Sequence, residues 1–239
     1  RMLGANGKPA PESRRGLPSP MVAFYKMMGL CSRFPQHRSF GHYYMGYLPW
    51  DKPAKIEVVS GAFCMIRREA LLKVGLLDED FFMYGEDIDL SYRILKGGYQ
   101  NYYLPVDILH YKGESTQKSS FRYVHVFYEA MLIFFRKHYS GMSHLLSIPI
   151  KFAIYARASV AFTQMMTARI RKSLGFFSPS HVDLSNQVLF DADETSYEEM
   201  LHQLAQRSDE NIKLATYTKD IGKVITDREV MDKDEFGYL

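Results

Sequence analysis

The sequence contains little cysteine and only one tryptophan. Two cysteines among 239 residues are too few for a disulfide framework, and no spacing of cysteine and histidine is typical of a zinc site. This scarcity favours a reducing compartment. The chain begins with Arg1, and the residues near it lack the layout of a signal peptide. A chain without an initiator methionine is expected to be part of something longer.

Long apolar runs are also lacking. No uncharged run reaches the roughly 18–20 residues that a bilayer span needs, so a transmembrane helix is not expected. A glycine-rich phosphate loop is missing too, which counts against a nucleotidyltransferase. The cations that interrupt the most apolar region are Arg136, Lys137, Lys151, Arg157 and Arg169.

Charge is divided unevenly along the chain. Residues 1–182 hold 24 Lys and Arg against 13 Asp and Glu, a net charge of +11, whereas residues 183–239 hold 6 against 14, a net charge of −8. The overall net charge of +3 is therefore an average over two unlike regions. This division predicts a boundary near residue 180.

Hydrophobic periodicity and glycine stops indicate mixed α/β structure after an irregular, basic segment at 1–55. A short helix is expected in that segment after Pro20. The patterns further predict strands at 56–59, 62–66 and 99–104, helices at 68–74 and 86–96, and then strand 188–190, helix 196–206 and strand 212–217.

The region 121–172 is predicted to be helical and amphipathic. Within it, the stretch 145–170 is apolar on one side, and the basic run 169–172 lies at its C-terminal end. That composition fits a helix lying in a membrane interface, with its cations against anionic lipid. A helix packed in the core with cations on its solvent side fits equally well. One face of the preceding helix is expected to contain Val124, Phe127, Tyr128, Met131 and Phe135.

Six carboxylates fall within twelve residues, but their order does not match a calcium loop of the EF-hand type. Asp89 stands four residues before Arg93, which favours a structural pair on one helix face. Asp87 lies on another face of that helix and is a candidate general base for a hydroxyl. The six residues are Asp78, Glu79, Asp80, Glu86, Asp87 and Asp89.

Several separate strings closely resemble the second half of bacterial family 2 glycosyltransferases, in the rhamnosyltransferase-like branch. The resemblance is firm over about residues 56–116, and its elements occur in the order of the family. They are Ser60 to Leu71, Val74 to Arg93, Gly98-Tyr99, Pro105 and His110.

The resemblance implies an inverting transfer of a sugar from a nucleotide-sugar to a hydroxyl acceptor. Asp87, next to the substrate-binding Glu86, would be the catalytic base, and the turn containing Gly61 and Ala62 would approach the substrates. His110 would contribute to the site of the diphosphate or of a divalent cation, Mg²⁺ or Mn²⁺. The alternative for His110 is an ordinary surface or core histidine.

Trp50, Arg14 and Arg15 each allow two interpretations. Trp50 is expected either to stack on a sugar ring, as a substrate-binding residue, or to anchor a packed loop. Arg14 and Arg15 are interpreted as solvated surface cations, with contact to phosphate as the alternative. The basic part of the chain is directed at diphosphate and anionic lipid rather than at nucleic acid.

The expected fold class is α/β. The resemblance implies the C-terminal half of a GT-A-type (Rossmann-like) glycosyltransferase domain, followed by amphipathic helices and a small acidic α/β tail. The corresponding segments are 1–120 for the acceptor and catalytic-base half, 121–177 for the helices and 178–239 for the tail. No Asp-x-Asp string precedes the Ser60 region, so the chain is expected to be truncated at its N-terminus, with the main metal ligands upstream.

Two hypotheses from different classes follow. The first is a glycosyltransferase in cell-surface polysaccharide synthesis, cytoplasmic and peripheral on the inner membrane of a bacterium, using a glycan or lipid-linked acceptor. The second is a non-catalytic interaction or membrane-associated module, in which the carboxylate cluster serves only to cap a helix and to form ion pairs.

Overall fold

The computed structural model describes residues 1–110, 121–139, 155, 159, 162–163, 166–167, 170, 186–227 and 229–237. The chain divides into two compact units. Unit 1 comprises residues 1–10, 105–114 and 178–239, and unit 2 comprises 11–104 and 115–177. Unit 2 contains residues on both sides of residue 120, where the sequence predicts a boundary between the first two segments. The functional assignment of the three expected segments stays a prediction.

Both units combine helices and strands, so the expected α/β class is confirmed at that level. The strands are β1 (Met2–Leu3), β2 (Ala54–Ile56), β3 (Asn101–Tyr103), β4 (Ile108–Leu109), β5 (Gln187–Asp191), β6 (Lys213–Thr218), β7 (Lys223–Ile225) and β8 (Val230–Asp232). The helices are α1 (Pro20–Met27), α2 (Leu30–Arg33), α3 (Arg68–Val74), α4 (Glu86–Lys96), α5 (Phe121–His138), α6 (Tyr197–Gln206) and α7 (Lys233–Gly237).

Helices α3 and α4 begin and end where the sequence predicted. Gly75 ends α3 with a positive φ of 86°, a conformation that glycine adopts without steric cost. The predicted strand at 62–66 is wrong, because that segment is irregular and exposed, with 67% of Phe63 and 89% of Met65 accessible to solvent. A strand needs a neighbour to pair with, and the described residues provide none for this segment.

The core of unit 2 forms between α4, α5 and the chain on either side of α3. Val58, Phe81 and Ile88 are buried against one face of α5. The predicted face of α5 is confirmed for the residues whose side chains are described, Phe127, Met131 and Phe135. Burial of this apolar face is what stabilises α5 on the unit.

Asp89 is the centre of a buried polar network in unit 2. Its side chain is 1% exposed and accepts hydrogen bonds from Arg93 Nε at 2.7 Å and from His138 Nε2 at 2.6 Å. Arg93 also donates to the carbonyls of Val74 at 2.6 Å and Leu76 at 2.7 Å. The predicted pair of Asp89 and Arg93 is thus present. The hydrogen bond from His138 joins α4 to α5, and the hydrogen bond to Val74 joins α4 to the end of α3.

The turn before α4 has a constrained backbone. Tyr84 has a φ of 66° and Gly85 a φ of 86°, so two successive residues lie in the left-handed region. A Cβ at Gly85 would approach Phe81 Cδ1 to 3.0 Å and Ala130 Cβ to 3.1 Å. Glycine is therefore required at the residue that precedes Glu86 and Asp87.

In unit 1, four strands form one sheet in the order β5-β6-β7-β8. Strands β5 and β6 are parallel and are joined through α6, whereas β7 and β8 are antiparallel to their neighbours. Ser196 caps α6 by accepting a hydrogen bond from the Glu199 amide at 3.3 Å. The predicted helix and its two flanking strands are confirmed. The core of this sheet contains Phe190, Met200, Leu204, Ile212 and Leu214.

No helix within the described ranges is long and apolar enough to cross a membrane. Most of the predicted interfacial stretch 145–170, and all of the basic run 169–172 except Ile170, lies outside the described residues.

We expect Asp89→Ala to lower the free energy of unfolding of unit 2 by about 3–5 kcal/mol, because it leaves Arg93 and His138 without their buried partner. Urea denaturation followed by circular dichroism measures this loss. The matched control is Asp80→Ala, whose carboxylate pairs with Lys137 at the surface and is 61% exposed. Its expected loss is below about 1 kcal/mol. Equal losses in the two variants would contradict a structural role for the Asp89 network.

Candidate active site

The predicted base lies where the segment 57–61 passes the first turn of α4. The Val59 amide donates a hydrogen bond to Ser91 Oγ at 3.0 Å, which fixes the segment against the helix. Two residues further on, the Gly61 amide donates to Asp87 Oδ2 at 3.3 Å. The structure therefore brings together two of the predicted site residues, Gly61 and Asp87.

Arg15 also binds Asp87, and both side chains are largely buried. The guanidinium Nη2 donates to Asp87 Oδ2 and, at 3.1 Å, to the Val59 carbonyl. Arg15 is 11% and Asp87 19% exposed. Although burial alone would lower the pKa of Arg15, the negative charge of Asp87 and the hydrogen bond to it raise that pKa above its ordinary value. Arg15 is therefore charged, and the interpretation of this residue as a solvated surface cation is wrong.

The backbone around Arg15 is fixed as firmly as its side chain. The Arg15 carbonyl accepts hydrogen bonds from the amides of Glu57 at 3.1 Å and Val58 at 2.9 Å. The next residue, Gly16, donates to the Tyr43 carbonyl at 3.1 Å. This pairing places a residue from the N-terminal segment beside α4.

Glu86 lies beside Asp87 in the first turn of α4. Burial raises the pKa of its carboxyl above the ordinary value, and the charge of Asp87 raises it as well. Its Oε2 atom is buried and has no hydrogen-bond partner within the described residues. The two neighbouring carboxyl groups therefore occupy different environments, one paired with a cation and the other desolvated.

Gly61 and Ala62 are exposed. A Cβ at Gly61 would meet only Asp87 Cβ, at an ordinary contact distance of 3.6 Å. The described chain therefore does not by itself require glycine there. A close approach of this turn to substrate stays a prediction.

Trp50 packs inside unit 2 with one ring face covered. The guanidinium of Arg14 lies 3.5 Å from the centre of the ring, and the Trp50 carbonyl accepts a hydrogen bond from the Tyr103 hydroxyl at 2.8 Å. Arg14 is 1% exposed, so its interpretation as a solvated cation is also wrong. These contacts are those of a loop anchor, and stacking of Trp50 on a sugar stays a prediction.

His110 belongs to unit 1, where its amide donates to the Leu3 carbonyl at 2.9 Å, directly after β4. Among the described residues, no group of three or more His, Cys, Asp or Glu side chains is arranged to hold a metal ion. The described part of the chain therefore does not form a complete site for Mg²⁺ or Mn²⁺. The role of His110 stays a prediction.

The arrangement around Asp87 suits proton abstraction. One carboxylate oxygen, Oδ2, is held by Arg15 and Gly61, and the group remains partly accessible to solvent. A carboxylate that is fixed in position and accessible can take the proton of a hydroxyl.

Comparison with known proteins identifies the family of the chain. Residues 34–197 match the model of the family described as Glycosyl transferase family group 2, which is more than half of the chain. The chain therefore belongs to that glycosyltransferase family.

Two curated relatives are each named N-acetylglucosaminyl-diphospho-decaprenol L-rhamnosyltransferase, from the CDC 1551 / Oshkosh and ATCC 25618 / H37Rv strains of Mycobacterium tuberculosis. Each is 29% identical to this chain over 126 residues, which is 52% of this chain and 39% of the relative. The chain thus spans well under half the length of these relatives. No solved structure matches it.

A second polar pair supports the segment that carries Arg15, and the sequence did not indicate it. Glu57 Oε2 accepts hydrogen bonds from the Leu17 amide at 2.5 Å and from His42 Nε2 at 2.9 Å. The hydrogen bond to Glu57 raises the pKa of His42 above its ordinary value of 6.5. Although burial alone would raise it, the pKa of Glu57 lies below its ordinary value of 4.5, because His42 and the Leu17 amide stabilise the carboxylate.

These shifts predict a pH-dependent contribution to stability. His42 stabilises the fold below about pH 6.5, and this is lost as pH rises through its folded pKa; the Glu57 contribution is present above about pH 4.5 and is lost on acidification. We expect His42→Gln to lower the free energy of unfolding at about pH 5.5 more than at about pH 8.5. The difference is at most about 1 kcal/mol, because both groups are partly exposed.

Urea denaturation at the two pH values measures this difference. In a Glu57→Gln background, His42→Gln should lose its pH dependence. An equal effect of His42→Gln at both pH values in the unmodified background would contradict the pairing.

Proposed function

We propose that this chain provides the acceptor side of a sugar transferase, with Asp87 as the general base. The observation that carries the proposal is the carboxylate at the start of α4, fixed through one oxygen by Arg15 and Gly61 and still partly exposed. Membership of the glycosyltransferase family supports the reaction class.

In the proposed reaction, the acceptor hydroxyl transfers its proton to Asp87 as its oxygen attacks the anomeric carbon. A carbon–oxygen bond forms there while the bond to the nucleoside diphosphate breaks, and the leaving electron pair stays on the diphosphate. Attack opposite the leaving group inverts the anomeric configuration, and one carboxylate is enough for it. A divalent cation would neutralise the leaving diphosphate. Among the described residues, no group of three or more His, Cys, Asp or Glu side chains is arranged to hold that cation, so its main ligands are proposed to lie upstream in the full-length protein.

We propose a glycan or lipid-linked acceptor and a role in cell-surface polysaccharide synthesis at the cytoplasmic face of a bacterial inner membrane. The support is the name of the mycobacterial relatives, which describes rhamnosyl transfer to N-acetylglucosaminyl-diphospho-decaprenol by those proteins.

We also propose that an upstream half completes the enzyme in the full-length protein. The chain matches only 39% of each relative. Unit 2 exposes several large apolar side chains on the segment 63–82, and exposed apolar surface of this kind marks contact with another surface. These side chains are Phe63, Met65, Leu72, Leu76, Leu77 and Phe82.

In the full-length protein, we expect Asp87→Asn to lower kcat by about 10²–10⁴-fold, because an amide cannot accept the proton. Binding of the nucleotide-sugar should change little, since the base acts on the acceptor. Turnover with a radiolabelled donor and calorimetric titration of the donor measure the two quantities. Asp80→Asn, at an exposed surface pair, is the control and should keep normal turnover. Retained turnover in Asp87→Asn would remove Asp87 from the role of base.

We propose peripheral contact with the membrane through the predicted interfacial stretch. The described residues of that stretch are helical, and Tyr155, Phe162 and Met166 expose apolar side chains at spacings that share one helix face. We expect Phe162→Asp with Met166→Asp to reduce recovery of the protein with anionic phospholipid vesicles in a flotation assay.

Tyr197→Asp is the matched control, because Tyr197 is also an exposed aromatic side chain on a helix but belongs to α6. It should leave vesicle recovery unchanged. Equal recovery of the double variant and the unmodified protein would rule out this contact.

A further inference from the structure

We propose that Arg15 is a positioning residue for the reaction, which holds Asp87 through Oδ2 so that Oδ1 is the oxygen that receives the acceptor proton. The inference rests on the proposed function, and it assigns to the N-terminal segment a role in the chemistry of α4.

Arg15 is itself held in place by the protein. Its Nη2 atom is shared between Asp87 and the Val59 carbonyl, and its own carbonyl accepts the amides of Glu57 and Val58. A side chain held at both ends and 11% exposed loses little further freedom when it orients a partner.

Two hydrogen-bond donors converge on the same oxygen of Asp87. Arg15 Nη2 and the Gly61 amide both donate to Asp87 Oδ2, and no described residue donates a hydrogen bond to Oδ1. With 19% of the side chain exposed, Oδ1 is the oxygen left for an incoming hydroxyl. Oδ2 thus anchors the carboxylate, and Oδ1 remains for the proton transfer.

The burial of Asp87 depends on Arg15. A buried carboxylate without a cationic partner is strongly disfavoured. The neighbouring arginine, Arg14, is buried as deeply but points to Trp50 and the Leu48 carbonyl. The two adjacent arginines therefore have different partners, and of the two, Arg15 is the one that contacts Asp87.

The proposed step balances without any additional reactant. The acceptor O–H proton moves to Oδ1, the O–H electron pair forms the bond to the anomeric carbon, and the pair of the broken bond leaves on the diphosphate. Arg15 keeps its proton throughout and is not consumed.

The test compares Arg15→Gln and Arg15→Lys in the full-length protein, with Arg33→Gln, an exposed arginine in α2, as the control. We expect Arg15→Gln to lower kcat by about 10²-fold, because misplacing a reacting group by about 1 Å costs that much. KM for the nucleotide-sugar should stay within about twofold, since Arg15 acts on the acceptor side. Arg15→Lys keeps the charge and should recover part of the loss, and Arg33→Gln should match the unmodified protein.

A double variant separates positioning from a general loss of structure. If Arg15 acts only through Asp87, adding Arg15→Gln to Asp87→Asn should not lower the residual rate further. A further loss of about the same factor in that background would overturn the inference, and so would normal kcat in Arg15→Gln. If Arg15→Gln does not fold, as judged by circular dichroism, Arg15→Lys decides the question: a kcat equal to that of the unmodified protein, with the guanidinium contacts removed, overturns the inference.

The outcomes also distinguish this inference from the proposed function. An inactive Asp87→Asn with a fully active Arg15→Gln would keep Asp87 as the base and reject Arg15 as its positioning residue. An active Asp87→Asn would reject both.

Discussion

The buried ion pair of Arg15 and Asp87 is the interaction on which the site in unit 2 depends. It joins residues 72 positions apart in the chain. Both charged side chains are largely buried, and this burial is stable only while both partners remain. Because Arg15 also pairs through its backbone with Val58, the same contact fixes the irregular N-terminal segment against α4. The position of the candidate base is therefore set by tertiary structure and not by the helix alone.

Helix α4 carries two aspartates with different roles. Asp89 is fully buried and holds α4 to α5 through His138, whereas Asp87, about 200° away around the helix, lies beside the segment that ends at Gly61. A single helix turn thus provides both a structural anion and a candidate catalytic one. The backbone before it, with Tyr84 in the left-handed region, fixes where that turn begins.

Local patterns predicted those parts of the structure that local interactions determine. The bounds of α3 and α4 follow from glycine stops, and the pair of Asp89 and Arg93 follows from the four-residue spacing. The segment 62–66 has the composition of a strand but lacks a partner among the described residues, so propensity alone failed there. The bond from His138 to Asp89 spans 49 positions, which no local pattern reveals. The same limit explains the site. Asp87 was predicted from a motif, whereas the role of Arg15 depends on a contact with a residue distant in the sequence, which the pair of adjacent arginines does not reveal.

In the proposed reaction, Asp87 is anchored through Oδ2 and reacts through Oδ1. A crystal structure of the full-length protein with a nucleoside diphosphate and an acceptor analogue tests it most directly. The account predicts the acceptor hydroxyl oxygen within about 2.6–3.2 Å of Asp87 Oδ1, with Arg15 still bound to Oδ2. An acceptor hydroxyl that faces a different carboxylate, or an Arg15 that leaves Asp87 to bind the diphosphate, would contradict it.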